Sequence, residues 1–393
     1  MDEITSRERM LRTLDLKEAD HIPCCFMSFS ALRQRHDEDR YASTRAELAM
    51  GLDSMLFIPS ASRRDRPDHP DLRGLPIRFP SDVKTREWRE SHTDGADVLR
   101  KKYSTPEGTL STSVRLSEDW PHGDHIPFID DYQIPRAGKA LVTGRGDLPA
   151  LQYLLIPPQS EDVAAFLDEA ERAQAFSREY GVLLTGGWGV AMDMANWLCG
   201  MQDLMVLMIE QPDVVDELLE MIHTWNVQRM EVVLRGSVDL YVRRAWYEGC
   251  DFVTPQFWHK SILPRLKTEV ELAHSRGVKF GYQCSSGTEP ILDGLIEAGV
   301  DALIGIDPVQ GTHTNLPLIR RTLGGRVCLW GGVSGAVTVE MGTEAEVREA
   351  VRHAIATLGP DGFVLSPVDN ITVDAPRTWE NINVLIDEWR KAR

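Results

Sequence analysis

The stretch Val278-Lys279-Phe280-Gly281-Tyr282-Gln283 decides the fold, because it opens a strand-and-helix rhythm that runs to the C-terminus. It is short and mostly apolar, and a helix-patterned segment over 289–298 comes next, closed by Gly299. The pair then repeats three times. A strand pattern at 301–306 precedes a helix at 316–323, closed by Gly324-Gly325. A strand at 327–332 precedes a helix at 344–358, closed by Gly359, and a strand at 363–366 precedes a last helix at 377–391. Glycine just past a helix marks its end, because it takes the left-handed conformation without a Cβ penalty. Strands that alternate with helices pair in parallel, and strands covered on both faces are apolar throughout.

Toward the N-terminus the rhythm continues. A strand at 238–242 precedes a mostly helical stretch from Pro255 to His274, with Pro264 near its first turns. Helices at 192–208 and 212–235 come after a strand at 182–187, itself preceded by a helix at 161–179. The run at 53–58 is a strand stopped by Pro59, and Pro23-Cys24-Cys25-Phe26-Met27 reads as the first strand. Before it lies an amphipathic helix over 5–16, capped by Thr5 or Ser6, with Met10, Leu11 and Leu14 on one face. Eight strand candidates predict an α/β fold, a closed (β/α)8 TIM barrel, as one domain over 1–393. Residues 60–150 break the rhythm; rich in Arg, Asp, His, Pro and Gly, they read as a polar insertion or excursion on the barrel. Thr105-Pro106-Glu107-Gly108-Thr109-Leu110 there looks like a hairpin turn. His122, Asp124, His125, Asp130 and Asp131 resemble metal ligands only superficially, and the expectation is a solvated loop.

Bulk properties narrow the function. With 393 residues and 42% hydrophobic content, the chain can bury a sizeable core. A formal net charge of −17 argues against nucleic acid, which needs a basic face. No apolar run is long enough to span a membrane, and Met1-Asp2-Glu3-Ile4 lacks the basic-then-apolar order of a secretion signal. Cysteines at 24, 25, 199, 250, 284 and 328 form no C-x-x-C pair, which suits free thiols in a reducing cytoplasm. Phosphate-cradling glycine loops and G-x-S-x-G are absent, so nucleotide binding and serine hydrolysis lack support.

In such a barrel, chemistry sits just after each strand. Cys284 is the sharpest candidate, since it comes after a strand and precedes Ser285-Ser286-Gly287 at the start of a helix. A thiolate there would be favoured by the helix N-terminus; the alternative is a neutral, half-buried thiol. Asp369 and Asn370 come after the last strand. Zinc accepts cysteine sulfur and aspartate oxygen, so Cys284 and Asp369 would supply two ligands of an open metal site, unless the acid only makes an Asx turn. Arg243 and Arg244 suit a carboxylate or phosphate, with Trp246, Tyr247 and Glu248 beside them, or they are ordinary ion-pair partners. Met27, Trp188 and Asp307 complete the candidate substrate-binding set, and His259 and His313 also stand near strand-to-helix junctions.

These residues carry a resemblance. The chain resembles the uroporphyrinogen decarboxylase superfamily, which includes the decarboxylases and the corrinoid- and zinc-dependent methyltransferases. The similarity lies in Ser6-Arg7-Glu8-Arg9, Asp20-His21-Ile22-Pro23, Gly200 through Gln211-Pro212-Asp213, and Pro255-Gln256-Phe257 with Pro264. It continues through Cys284 with Gly287, Glu297-Ala298-Gly299-Val300-Asp301, Trp330-Gly331-Gly332-Val333, and Asn370-Ile371 with Asp374 and Pro376. The resemblance implies a TIM barrel and a homodimer. The true decarboxylases carry an arginine-rich segment where this chain reads Phe26-Met27-Ser28-Phe29-Ser30, and an aspartate near Phe57-Ile58-Pro59-Ser60. The chain therefore looks more like the methyltransferase branch, whose H-x-C zinc motif falls on Tyr282-Gln283-Cys284 and whose distant cysteine falls on Asp369. The implied activity moves a methyl group between a small methylated substrate and a corrinoid or tetrahydrofolate carrier. A corrinoid protein would be the partner, zinc on Cys284 and Asp369 would polarise the substrate, and Tyr282 would be the hydrogen-bond donor or general acid. Two alternatives stand beside it: a metal-free decarboxylase or lyase anchored by Arg243 or Arg244, and a non-catalytic barrel that binds a ligand or a corrinoid protein.

Overall fold

The computed structural model describes residues 4–59, 68, 74–91, 95, 97–312 and 314–392. Its strands are β1 (Met55–Ile58), β2 (Lys84–Glu90), β3 (Val98–Thr105), β4 (Gly108–Arg115), β5 (Ala137–Lys139), β6 (Leu183–Gly189), β7 (Leu240–Arg244), β8 (Lys279–Gln283), β9 (Ala302–Ile306), β10 (Cys328–Ser334) and β11 (Phe363–Val368). Contacts divide the chain into two compact units, one of residues 1–58, 169–187 and 234–393, the other of 59–168 and 188–233.

The first unit holds a seven-stranded sheet in the order β1-β6-β7-β8-β9-β10-β11, with parallel registers and amphipathic helices between strands. Its two edges reach the same segment: Cys24 bridges Leu365 and Cys25 bridges Asp53, both in parallel. Cys25 N donates to Leu365 O (3.0 Å), Leu365 N to Pro23 O (2.9 Å) and Asp53 N to Cys24 O (2.8 Å). The sheet thus curls back on itself in a TIM-barrel-like arrangement. The expected first strand at 23–27 is only this pair of bridges. Pro23 has no N–H to give, and Met27 N turns away to Ser366 Oγ (3.1 Å).

Two N-terminal arginines hold this unit together. The helix Ser6–Leu14, capped by Thr5, carries both. Arg7 grips Asp239 in a fork (2.9 and 2.6 Å), and Asp239 also accepts from Leu184 N (3.0 Å) at the start of β6. Arg9, buried, forks to Asp20 (2.6 and 2.9 Å) and reaches Asp53 Oδ1 (2.6 Å), whose other oxygen accepts from Cys24 N (3.0 Å).

Beside Asp53, Ser54 Oγ donates to Glu47 of the helix Arg40–Ala49. Burial pushes the Glu47 carboxyl up to about 7, against the pull of Ser54 and Arg33. A carboxyl raised in the folded state favours the protonated native form, so stability falls as pH rises from about 4.5 to about 7. Glu47→Gln should remove that decline, worth on the order of 1–3 kcal/mol, as read from urea midpoints across pH. An unchanged pH profile in the variant would show that Glu47 stays ionised throughout.

In the second unit β2-β3-β4-β5 form an antiparallel sheet, where the sequence suggested only a hairpin turn in a polar excursion. That turn is present, with Thr105 paired to Gly108 across Pro106-Glu107. The other strands escape sequence reading because their outer faces are charged and pair across strands, as Arg100 with Glu90 (2.7 Å). The inner face packs Leu99, Val114, Trp120 and Ile126, and Phe79, Tyr103 and Phe128 meet edge to face. Most of the loop acids and histidines are taken up by protein partners: His125 by Glu87 (3.0 Å), Asp124 by Arg89 (3.3 Å) and Asp131 by Trp197 Nε1 (2.6 Å), while His122 packs edge-on against Trp120 with its Nε2 3.3 Å from Asp130. Residues 60–67, 69–73, 92–94 and 96 of the expected excursion lie outside the described residues. Among the described residues no helix is long and apolar enough to cross a membrane.

Candidate functional site

Strands β7 and β8 run side by side with Arg243 opposite Tyr282 and Arg244 opposite Gln283. Side chains alternate along a strand, so each pair shares a face. The Arg243–Tyr282 pair faces the helix Leu263–Ser275, because Arg243 Nη1 donates to Glu269 Oε2 of that helix (3.1 Å). Arg243 Nη2 donates to Glu248 Oε1 (2.7 Å), Tyr282 Oη to Glu248 Oε2 (2.7 Å), and Trp258 Nε1 to Tyr282 Oη (3.2 Å). Arg243, Glu248, Tyr282 and Trp258 are all fully buried and Glu269 almost so. Burial works against the Arg243 charge, yet Glu248 and Glu269 hold the guanidinium firmly protonated. Burial first, then the Glu248 carboxylate, pushes the Tyr282 hydroxyl well above the usual phenol range.

By the same alternation Arg244 and Gln283 face the inside of the curled sheet. On that side Gly281 leaves room for Ile304 and Leu240, whose methyls stand 2.7 and 3.5 Å from where a Cβ would lie. Arg244 and Gln283 are both only 6% exposed. Gln283 does not stand out as a separate candidate in the sequence; its even spacing from Gly281 and Lys279 is the available signal.

Cys284 continues from β8, its N–H on Ile304 O (2.9 Å), and its buried thiol donates to Ser286 O (3.4 Å). The loop after β7 wraps over this turn. Ala245 N donates to Gln283 O (2.9 Å) and Cys250 N to Gly287 O (2.8 Å). A Cβ at Gly249 would stand 1.9 Å from Ser286 O and 3.3 Å from Cys284 Sγ, so only glycine admits this approach. The loop after β9 joins in, as Gly287 N donates to Thr312 O (3.1 Å) and Thr312 N to Asp251 (3.0 Å).

The remaining candidates divide. The Met27 methyl stands 3.5 Å from a Cβ placed on Gly305, as does the Cys284 carbonyl oxygen, so Met27 and Cys284 share one neighbourhood. Buried Asp307 caps its own loop, accepting from Val309 N (2.8 Å), Gln310 N (3.1 Å) and Gln310 Nε2 (3.0 Å). Asn370 is tied to Ser30 through both its amide atoms (3.0 and 2.9 Å). Asp369 is exposed and holds a φ of 70°, a left-handed conformation uncommon for a residue with a Cβ. Tyr247 meets Phe252 edge to face at 5.2 Å, and Trp246 is half-buried. Trp188 belongs to the second unit, and His313 lies outside the described residues. Trp258 and Glu269 went unnoticed in the sequence, although Glu269 falls on the buried stripe of its helix with Leu266, Val270 and Ala273.

A catalytic zinc takes three protein ligands and keeps one position open. Cys284 and Asp369 offer two, and among the described residues no group of three or more His, Cys, Asp or Glu side chains is arranged to hold a metal. Tyr282, where a histidine ligand was expected from the resemblance, has its hydroxyl engaged by Glu248 and Trp258. The Cys284 proton is directed at a carbonyl, an arrangement that suits a thiol rather than a thiolate ligand. The residues present do not fit zinc.

The whole chain shares its fold with known structures. A methyltransferase from Methanosarcina mazei superposes over 99% of both chains with a TM-score of 0.59 and 15% identity. A B12-independent methionine synthase from a Shewanella species superposes over 94% of this chain and 97% of its own, with a TM-score of 0.50 and 10% identity. Among curated proteins none matches the sequence. The sequence profile of uroporphyrinogen decarboxylase (URO-D) matches residues 150–392, the span that carries β6 through β11 and the Cys284 turn. The chain belongs to the uroporphyrinogen decarboxylase (URO-D) family.

Proposed function

We propose that this URO-D family chain is an enzyme that moves a methyl group between a small methylated substrate and a corrinoid or folate carrier. The observation that carries the reading is the fold correspondence with the Methanosarcina methyltransferase over 99% of both chains, within a family established from the sequence. The substrate sits at the mouth of the curled sheet, where Arg244 and Gln283 end β7 and β8, Cys284 and Asp369 follow strand ends, and the Met27 methyl lies near the Cys284 carbonyl. Asp369, exposed at the end of β11, is the carboxylate that handles the proton, while Cys284 lines the methyl-bearing end of the substrate. Arg243 is committed to Glu248 and Glu269, so in the decarboxylase alternative the carboxylate anchor falls to Arg244. No step is assigned to a metal, because the donor set does not meet zinc's requirement.

The test is a panel of small O-, N- and S-methyl compounds with a reduced corrinoid or tetrahydrofolate as acceptor, with carbon dioxide release monitored in parallel. The expected result is methyl transfer that falls in both Cys284→Ala and Asp369→Asn, in the latter by about a hundredfold, the scale of losing a positioned proton-handling group. Asp369→Gly should lose the same activity yet keep stability within about 0.5 kcal/mol, since glycine takes the left-handed conformation freely. Carbon dioxide release without methyl transfer would sink the proposal, and so would full activity in both Cys284→Ala and Asp369→Asn.

A further inference from the structure

Three unusual features converge on one hydroxyl group, Tyr282 Oη. The first is a single π-turn, Trp258–Ile262, inserted between the short helix Pro255–Phe257 and the helix Leu263–Ser275. Such an insertion re-aims the side chains that begin it, and π-turns recur at functional sites. Here it brings Trp258 Nε1 to 3.2 Å from Tyr282 Oη. The second is Gly294, in the middle of the helix Leu292–Ala298, where glycine costs helix stability. A Cβ there would stand 2.3 Å from the Trp258 ring, so the glycine exists to seat the indole. The third is the buried set Arg243, Glu248 and Glu269, fully enclosed charges that apolar residues would replace without loss of stability. Its Glu248 accepts the Tyr282 proton at 2.7 Å and precedes Gly249, the residue on which the Cys284 thiol rests.

We infer that Trp258 is a positioning residue for the Cys284 turn, acting through Tyr282 and Glu248. Trp258 orients the Tyr282 hydroxyl, that hydroxyl fixes the Glu248 carboxylate, and the Glu248-Gly249 backbone sets the shelf against Cys284 and Ser286. Tyr282 then serves the site from behind, as part of this strut, and touches no substrate. The inference rests on the proposed site at the barrel mouth, but its test needs no substrate.

The experiment labels the folded full-length chain with iodoacetamide at one pH and maps the modified cysteines by mass spectrometry, with the buried Cys199 and Cys328, which lie outside the Cys284 turn and the loop against it, as internal references. Trp258→Phe keeps a ring and removes the N–H donor; Tyr282→Phe removes the hydroxyl. In each, Cys284 labelling relative to Cys199 and Cys328 should rise by about tenfold, the factor that accompanies loss of one hydrogen bond. The double variant should label no faster than the faster single one, because both act on one strut. Unchanged Cys284 labelling in both single variants would overturn the inference. So would an equal rise at Cys199 and Cys328, which would mean general loosening, or additive effects in the double variant. Absence of methyl transfer, by contrast, would count against the proposed function and leave these labelling ratios to stand on their own.

Discussion

Arg243→Met should lower the free energy of unfolding by about 3–5 kcal/mol, read from urea melts. The guanidinium is fully buried and shared by two carboxylates, Glu248 at 2.7 Å and Glu269 at 3.1 Å. Removing it strips both of their common cation in a medium that solvates charge poorly, and the cost is that of a broken buried pair. The triple variant Arg243→Met, Glu248→Leu, Glu269→Leu should recover most of the loss, because a matched apolar set needs no desolvation of charge. The same triple variant deprives Tyr282 of its acceptor, so Cys284 labelling should stay high while stability returns. That separation tells orientation from stability. An Arg243→Met protein within about 1 kcal/mol of the parent would show that the three charges do not meet as described.

Arg9→Met should have a comparable effect, again about 3–5 kcal/mol near neutral pH. Arg9 joins Asp20 and Asp53, and Asp53 in turn holds Cys24 N, so the residue links the first helix, the segment that meets both sheet edges, and the start of β1. The pH dependence has a definite sign. The hydrogen bond from Arg9, more than any other factor, lowers the Asp20 carboxyl to about 2 from an ordinary 3.8. A depressed carboxyl adds stability above its unfolded value, and this contribution fades as pH falls from about 3.8 toward about 2. Asp53 moves the other way, because its burial outweighs Arg9. Without Arg9 its charge costs more, and that extra cost also disappears in acid. The gap between parent and variant should therefore be widest near neutrality and narrow below about pH 4. A gap that does not change with pH would assign the loss to packing of the arginine stem instead.

The Arg9 result also bears on how much the sequence makes legible. Ser6-Arg7-Glu8-Arg9 and Asp20-His21-Ile22-Pro23 are among the segments that carry the family resemblance. In the structure they are two halves of one tie: Arg9 on Asp20, Ile22 O on Trp389 Nε1 (2.8 Å) and Pro23 O on Leu365 N. These bonds support the curled sheet, and none of them stands at its mouth.

Helix limits are readable wherever a cap is local. The helix Leu316–Leu323 begins at Asn315, whose side chain accepts from Leu318 N, and the helix Glu344–Leu358 has Thr343 and Glu346 in a reciprocal capping box. Strand β7 lies two residues later than its sequence pattern suggests, because two arginines look like the polar residues after a strand. They lie within it, and the partners that make Arg243 tolerable stand at 248 and 269, one on the next loop and one on another helix.

From the sequence alone came the alternation of strands and helices, the parallel sheet it requires, the family, and Cys284 as a residue at a strand end. Each depends on patterns within a few residues or on motifs in fixed order. The tertiary structure alone decided that Arg243 and Tyr282 turn away from the mouth while Arg244 and Gln283 turn toward it. It also decided that Trp258 and Glu269 belong to the same network, that the Tyr282 hydroxyl is shared between Glu248 and Trp258, and that the Cys284 thiol is turned to Ser286 O. Those outcomes depend on strand register and on hydrogen bonds between residues as far apart as Glu248 and Tyr282, and no local periodicity records such a distance.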